Sequence, residues 1–258
     1  MSNSVKTILA IESSCDDTGA AICRNNTILA NEIANQLVHK QYGGVVPELA
    51  SRAHLQNIIP VVDVCLAKAN VSLIEIDAVA FTRGPGLMGS LLVGGSFAKS
   101  VALALNKPLI EVNHMQGHVL ALFIKNEHEN CPKFPFLCLT VSGGHTQIVL
   151  VKDYLDMEVV GETLDDAAGE AFDKVAKILD LPYPGGPLVD KYAQEGNPYK
   201  FKFPIANVPD LNFSFSGLKT SFLYLINNSQ KINKNFVSEN LVDLCASVQH
   251  TIIDTLLA

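Results

Sequence analysis

The sequence predicts an α/β protein that is built from two similar halves. Short apolar runs of strand length alternate along the 258 residues with longer runs that have helical spacing, as in proteins with α/β sheets. Two pairs of strand-like runs form predicted hairpins, one at residues 7–23 and one at 136–151, and both tips are rich in Gly, Ser and Thr. Residue identity between the two hairpins is weak, so the repeat that they indicate is one of architecture.

A polar, proline-bearing stretch at residues 129–135, "ENCPKFP", is the predicted boundary between the two halves. We therefore expect domains at residues 1–132 and 133–258. In the first, the predicted elements are a hairpin (Thr7–Glu12 and Gly19–Cys23, tip Ser13–Thr18), a helix (Pro47–Ala69), a strand (Ala78–Thr82), a helix (Met88–Leu105), a strand within "PLIEVNH" and a short helix. In the second, they are a hairpin (Phe136–Val141 and Thr146–Val151, tip Ser142–His145), a helix (Leu164–Leu179) and three further helices.

The composition excludes several classes of protein. With 48% apolar and 17% charged residues, the chain has enough apolar residues for a large core and is not disordered. A net charge of -7 argues against a dedicated nucleic-acid binder, so contact with a nucleic acid would need local cations or a basic partner. The first residues do not follow the pattern of a signal peptide, and no uninterrupted apolar run reaches about 18 residues, so we expect neither a signal peptide nor a membrane span. Six scattered cysteines without a CxxC pair are typical of reduced thiols in a cytoplasmic protein.

Residues 235–258 have apolar side chains at helical spacing but stop at "LLA". A helix usually ends with a glycine, an asparagine or basic residues. We therefore expect the sequence to be truncated at its C-terminus.

The stretch "NHMQGHVLALF" places His114 and His118 four residues apart at the start of an apolar helix. This spacing puts two imidazoles within reach of one metal ion. Zinc peptidases add a glutamate directly after the first histidine as a general base, whereas Met115 stands there in this sequence. A metal site is therefore one reading and peptidase chemistry is disfavoured, while a purely structural role for the histidines stays open.

Small residues at the hairpin tips "SCDDTG" and "SGGHTQ" would let backbone N–H groups approach a phosphate. Ordinary turns are the alternative interpretation. The loop "TRGPGLMGS" precedes a helix and could attract an anion, although close packing of its glycines explains it equally well. Asp166, Glu170 and Asp173 share one predicted helix face, where Asp173 could accept hydrogen bonds from ligand hydroxyls and Asp165 and Asp166 could cap the helix.

In the combination of these motifs, the sequence resembles the TsaD family, which is also called Gcp or YgjD, and Kae in archaea and eukaryotes. The matching stretches are "IESSCDDTGAAI", "YGGVVPELASRAH", "TRGPGLMGSLLVG", "NHMQGHVLA", "LTVSGGHTQI", "DDAAGEAFDKVAKILDLPYPGGPLVDK" and "FSFSGLKT". The resemblance implies the ASKHA fold of actin, hexokinase and Hsp70, with two ribonuclease-H-like domains of which the second is incomplete. It also implies the transfer of a threonylcarbamoyl group from threonylcarbamoyl-AMP to N6 of adenosine 37 in tRNAs that read ANN codons.

The resemblance also implies which residues carry the function. It assigns metal binding to His114 and His118, with Fe(II) or Zn(II) as the ion. The residues that it assigns to substrate binding are Thr140, Val141, Ser142, Gly143, Gly144, Asp173, Gly186 and Asp190. The resemblance implies that the family's third metal ligand, an aspartate, lies in a C-terminal segment that we expect to be missing from this sequence. We therefore expect the chain alone to bind metal weakly and to be inactive.

The partners that the resemblance implies are tRNA, threonylcarbamoyl-AMP or another adenine nucleotide, and proteins of the TsaB and TsaE kinds, without a membrane. Candidate tRNA contacts are Lys40, Arg52, Arg83 and Lys99, and candidate general bases are Glu12 and Asp16. Two other functions remain as alternatives, a metallopeptidase and a non-catalytic nucleotide-binding scaffold.

Overall fold

The computed structural model describes residues 6–36, 39, 42, 44–124 and 131–257. The chain divides into two compact units, Met1–Lys133 and Phe134–Ala258. Each unit has its own β-sheet and its own cluster of buried apolar side chains.

The first unit contains a five-stranded sheet with the order β3-β2-β1-β4-β5. Its strands are β1 (Thr7–Glu12), β2 (Thr18–Arg24), β3 (Thr27–Ala34), β4 (Ala78–Gly84) and β5 (Leu109–Asn113). β1, β2 and β3 are antiparallel neighbours, whereas β4 pairs in parallel with both β1 and β5. The carboxyl ends of β1, β4 and β5 therefore lie at one edge of the sheet, which is where α/β sheets usually bind ligands.

The described part of the first unit has three α-helices: α1 (Pro47–Ala69), α2 (Met88–Leu105) and α3 (His114–Leu120). α1 and α2 pack on the sheet and bury strand residues such as Leu9, Ile11 and Phe81. Both helices end at an asparagine in the left-handed conformation, Asn70 and Asn106, whose backbone N–H groups donate to carbonyls of the last turn. Asparagine is one of the residues that adopt this helix end readily.

One helix among the described residues, α2, is long and apolar enough to cross a membrane by length and composition. The expectation from apolar runs did not identify it, because Ser96 and Lys99 interrupt the run. α2 contributes Ala98 and Ala102 to the core of the first unit, and core helices of soluble proteins pass the same test.

The second unit contains a three-stranded antiparallel sheet with the order β6-β7-β8. Its strands are β6 (Phe136–Val141), β7 (Thr146–Asp153) and β8 (Asp156–Glu162), and its helices are α4 (Ala168–Ile178), α5 (Gly186–Ala193), α6 (Ser216–Ile232) and α7 (Phe236–Leu257). The four helices share a core around Val175, Phe222 and Val248. All six cysteines of the chain are free thiols, and Cys65 and Cys245 are buried.

Most predicted elements are present, but three predictions need correction. The helix expected from Leu164 begins at Ala168, because Thr163 donates to the carbonyl of Asp166 and forms a turn. The strands β3 and β8 were missed, because polar residues interrupt their apolar pattern. A signal for β3 was available in Asn25 and Asn26, which both have positive φ, as a tight hairpin turn requires.

Candidate functional site

The two histidines of α3 lie together at the edge where β1, β4 and β5 end. Asn113, the last residue of β5, caps α3 by accepting hydrogen bonds from the N–H groups of Met115 and Gln116. This cap fixes His114 as the first residue of the helix. The Nε2 atoms of His114 and His118 are 3.1 Å apart, and the two rings meet edge to face.

Glu12, the last residue of β1, holds His114 from the sheet. Its Oε2 lies 3.2 Å from His114 Nδ1 and accepts a hydrogen bond from the hydroxyl of Thr82 at 2.5 Å. Its Oε1 accepts a hydrogen bond from the backbone N–H of Ser14. Burial raises the pKa of Glu12, but the hydrogen bonds from His114, Ser14 and Thr82 outweigh burial and lower this pKa from 4.5 to about 2. The same bond raises the pKa of His114. Such an acidic carboxyl is a poor general base near neutral pH.

The imidazole pair fits two ligand positions of a metal ion. With metal–nitrogen bonds of about 2.1 Å, a separation of 3.1 Å corresponds to an angle of about 95° at the ion. Imidazole nitrogens suit both iron and zinc, so the donor atoms do not select the metal. Within the described ranges no cluster of three or more His, Cys, Asp or Glu residues is placed to hold a metal.

The tip of the first hairpin is held by side chains from α1 and α2. His54, fully buried on α1, donates from Nε2 to the carbonyl of Cys15 at 3.0 Å, and its Nδ1 lies 2.8 Å from the hydroxyl of Thr18. Ser90 on α2 donates to the same carbonyl at 3.0 Å, and Ser13 donates to the carbonyl of Ser90 at 2.9 Å. The tip is therefore rigidly positioned before any ligand arrives.

The glycines of the stretch "TRGPGLMGS" and of α2 let the tip approach closely. A Cβ at Gly86 would lie 2.4 Å from the carbonyl oxygen of Ser14, and one at Gly94 would lie 2.1 Å from Ser13 Oγ. The N–H of Leu87, which precedes α2, donates to the carbonyl of Ser14. Close packing therefore explains this glycine-rich stretch better than anion binding.

The carboxylates at the first tip have an unfavourable electrostatic environment. Burial, with a contribution from the neighbouring charge of Asp16, raises the pKa of Asp17. Burial and Asp16 also raise the pKa of the Cys15 thiol to about 11, so this cysteine is not a ready nucleophile. Two carboxylates here would repel a phosphate unless a cation lay between them.

The tip of the second hairpin is exposed. Ser142 accepts hydrogen bonds from the N–H groups of Gly144 and His145, and a Cβ at Gly143 or Gly144 would meet nothing within 4 Å. One side of the tip rests on α4, where the N–H of Gly169 donates to the carbonyl of Ser142 at 3.1 Å. The other predicted substrate residues of this hairpin, Thr140 and Val141, end the strand β6.

The remaining predicted substrate residues lie where α4 faces the start of α5. Asp173 accepts from the N–H of Gly185 at 2.8 Å, which fixes the turn that leads into Gly186, the first residue of α5. Asp190 lies one turn further along α5 and accepts from the side-chain amide of Gln249 on α7 at 2.9 Å. Asp173 therefore orders a glycine turn in addition to any ligand contact.

Asp165 has a role that the sequence did not reveal. Its carboxylate accepts from the hydroxyls of Ser214 and Ser216 and from the N–H groups of Phe215 and Ser216. Burial raises its pKa, but these hydrogen bonds outweigh burial and lower it. Asp165 therefore caps α6 instead of the helix that follows it in sequence. Its negative charge occupies the anion position at the start of α6.

Three of the candidate tRNA-contacting cations already have local partners. Arg52 pairs with Glu48 at 2.7 Å and Arg83 with Glu111 at 3.4 Å. Lys99 lies over the ring of Phe81. These side chains are exposed enough to exchange such contacts for phosphates, since surface ion pairs are weak. Lys40 lies outside the described residues.

A model of the TsaD family, described as tRNA N6-adenosine threonylcarbamoyltransferase, matches residues 27–258. The chain belongs to the TsaD family. A relative from Christiangramia forsetii is 64% identical over 257 residues, which is 100% of this chain and 76% of the relative. One from Riemerella anatipestifer is 62% identical over 250 residues, which is 97% of this chain and 73% of the relative. Both relatives are named tRNA N6-adenosine threonylcarbamoyltransferase.

A solved structure shares the fold of the TsaD chain at low sequence identity. The Acidaminococcus fermentans (R)-2-hydroxyglutaryl-CoA dehydratase component A is 10% identical, with a TM-score of 0.52, and the match covers 98% of this chain and 76% of that one. The likeness concerns the fold alone. The predicted α/β architecture of the ASKHA type is confirmed.

The TsaD motifs divide between the two units. His114 and His118 belong to the first unit, whereas Thr140–Gly144, Asp173, Gly186 and Asp190 all belong to the second. Sequence reasoning missed the roles of His54 and Thr82 beside the first group and of Asp165 beside the second. His54 lies in the family stretch "PELASRAH" and Asp165 in "DDAAGEAF". The sequence therefore marked both residues as parts of motifs but did not reveal which residues they contact.

Proposed function

We propose that this TsaD chain transfers the threonylcarbamoyl group of threonylcarbamoyl-AMP to N6 of adenosine 37 in tRNA. The observation that carries the proposal is the 64% identity, over the whole chain, to a relative with that activity in its name. The two Nε2 atoms at 3.1 Å support it, because they offer a divalent metal two ligands at the carboxyl edge of the sheet.

Different groups of residues would bind the metal, the phosphate and the nucleotide sugar. His114 and His118 would hold Fe(II) or Zn(II), which when bound supplies a Lewis acid for the oxygens of the donor. The exposed tip Ser142–Gly144 offers small residues that a phosphate could approach closely. Asp173, Gly186 and Asp190 would contact the nucleotide sugar and adjoining groups. The two units would then be the two ribonuclease-H-like domains.

Exposed surfaces of the first unit support the expected partners. α1 and α2 lie side by side, and both expose large apolar side chains. Among them are Leu55, Ile59, Met88 and Leu92. Because clustered apolar side chains at a surface mark interaction sites, we assign this face to a TsaB-like protein, with a TsaE-like protein as a further partner. The tRNA would meet local cations such as Arg52 and Arg83, and we place the protein in the cytoplasm.

A nucleoside assay tests the transfer. The chain and, in parallel, the Christiangramia forsetii relative are incubated with threonylcarbamoyl-AMP, unmodified tRNA and a divalent metal, and the digested tRNA is examined by mass spectrometry. We expect modified adenosine from the relative and a smaller but measurable yield from this chain, whose described residues offer the metal the two nitrogens of His114 and His118. Replacing both histidines of the pair by alanine should abolish the product. His250→Ala, whose histidine lies on α7 and pairs with Asp254, is the matched control.

Three outcomes would contradict the proposal. Modification that persisted without the histidine pair would remove the metal mechanism. A chain that bound neither threonylcarbamoyl-AMP nor tRNA in equilibrium binding measurements would not be a transferase. Histidine-dependent cleavage of peptides would favour the peptidase, although Met115 occupies the position of its base.

A further inference from the structure

The histidine pair can bind a metal only if each Nε2 atom carries a lone pair instead of a proton. A neutral imidazole has one proton, which resides on Nδ1 or on Nε2, and the hydrogen bond made by one nitrogen decides the state of the other. The contacts of His114 Nδ1 therefore decide whether its Nε2 is ready to act as a ligand.

The carboxylate beside His114 Nδ1 places the proton there. Glu12 Oε2 lies 3.2 Å from this nitrogen and Ser14 Oγ lies at the same distance. An ionised carboxylate can only accept hydrogen bonds, so the Glu12 contact requires N–H at Nδ1. His114 Nε2 is then an acceptor, and in the metal-free chain the 3.1 Å contact to His118 Nε2 has His118 as the donor. A metal ion would therefore find His114 Nε2 ready and would have to displace the proton from His118 Nε2.

Hydrogen bonds to both carboxylate oxygens of Glu12 hold its side chain in place. The hydroxyl of Thr82 donates to the same Oε2 atom, and the backbone N–H of Ser14 donates to Oε1. The parallel pairing of β1 with β4, in which Ile11 stands beside Phe81, brings Glu12 alongside Thr82. The carboxylate therefore cannot rotate away from His114 without losing both of these bonds.

We propose that Glu12, held by Thr82, is a positioning residue that sets the Nδ1–H tautomer of His114 and so presents its Nε2 to a divalent metal. This role differs from that of a general base, for which such an acidic carboxyl is poorly suited. Carboxylates that orient metal-binding histidines typically change metal affinity by about 10- to 100-fold when they are removed. The metal part of the inference rests on the proposed function, but the tautomer does not.

The tautomer is measured directly by long-range ¹H–¹⁵N NMR of the metal-free chain, at a pH well above the pKa of His114. We expect His114 to show a protonated Nδ1 and a bare Nε2, and His118 to show a protonated Nε2. Glu12→Ala should shift His114 toward the Nε2–H form. Thr82→Val should give an intermediate mixture, while Thr82→Ser, which keeps the hydroxyl, should restore the original spectrum. Glu111→Gln, at a carboxylate of β5 that pairs with Arg83, is the control and should change nothing.

A metal titration adds a second readout. Co(II) affinity, followed by its absorption spectrum, should fall about 10- to 100-fold in Glu12→Ala and less in Thr82→Val. An Nε2–H tautomer of His114 in the unaltered chain, or an Nδ1–H tautomer that persists in Glu12→Ala, would overturn the proposal. If Glu12→Ala does not fold, the contrast between valine and serine at position 82 decides. The expected tautomers without any tRNA modification would disprove the transferase function alone.

Discussion

The two hairpin tips, residues 13–18 and 142–145, have the same kind of sequence but different surroundings. At the first tip, Ser13 and Thr18 are buried and the Cys15 carbonyl accepts hydrogen bonds from His54 and Ser90 on two helices. At the second tip, Ser142 bonds to its own turn and accepts from the N–H of Gly169 at the start of α4. The first tip is thus part of the core scaffold, while the second presents its backbone to solvent.

The strands that lead into the tips also differ in burial, with β1 more buried than β6. On β1, Leu9 and Ile11 are 0% and 3% exposed, because β1 lies inside its sheet and α1 and α2 pack on it. On β6, which is an edge strand in the described part of its sheet, Leu137 and Leu139 are 63% and 41% exposed. Side chains in similar local patterns are therefore buried in one place and exposed in another, because the distant elements around them differ.

The largest effect is expected from removing the clamp of the first tip. His54→Ala leaves a cavity and takes the partners from the Cys15 carbonyl and the Thr18 hydroxyl, so the free energy of unfolding should fall by about 3 kcal/mol. Ser142→Ala at the second tip should cost less than about 1 kcal/mol, because its hydrogen bonds are exposed. Urea unfolding measures both, with Leu55→Ala as an exposed control on α1. Equal losses at the two tips would remove the distinction between them.

A smaller effect is expected where the second tip touches α4. A Cβ at Gly169 would lie 2.7 Å from the carbonyl oxygen of Ser142, so Gly169→Ala should destabilise the chain by about 1–2 kcal/mol through overpacking. Gly143→Ala, in the same tip but with open space around it, should change stability by less than about 0.5 kcal/mol. If Gly169→Ala were as stable as Gly143→Ala, the contact between tip and helix would not be tight.

A third effect concerns acid stability. The pKa of Glu12 in the folded chain is about 2, below its ordinary 4.5, so its stabilising contribution is fully present above pH 4.5 and is lost as the pH falls toward 2. Glu12→Gln should therefore flatten the dependence of the urea midpoint on pH within this window. Val141→Ala, at the corresponding end of β6, should keep the original slope. An unchanged slope in Glu12→Gln would show that the carboxylate gains nothing from its partners.

Local patterns in the sequence predicted much of the fold. The apolar spacing placed β1, α1, α2 and β6 at their observed bounds, because each element buries one face of regular period. The same patterns could not show that Glu12 meets His114, since these residues are 102 positions apart. That contact depends on the order β1-β4-β5, which brings three strand ends to one edge. The capping of α6 by Asp165 escaped prediction for the same reason, because the partners are about 50 positions apart.

The edge position of β6 has a consequence for self-association of the protein. Among the described residues β6 pairs only with β7, so its outer edge carries backbone donors and acceptors beside the exposed Leu137, Leu139 and Val141. An exposed apolar edge of this kind is a template on which another strand can form hydrogen bonds. We therefore expect self-association in concentrated solution to begin at this one strand, and a charged residue placed at Leu137 to delay it more than any change in the net charge of -7.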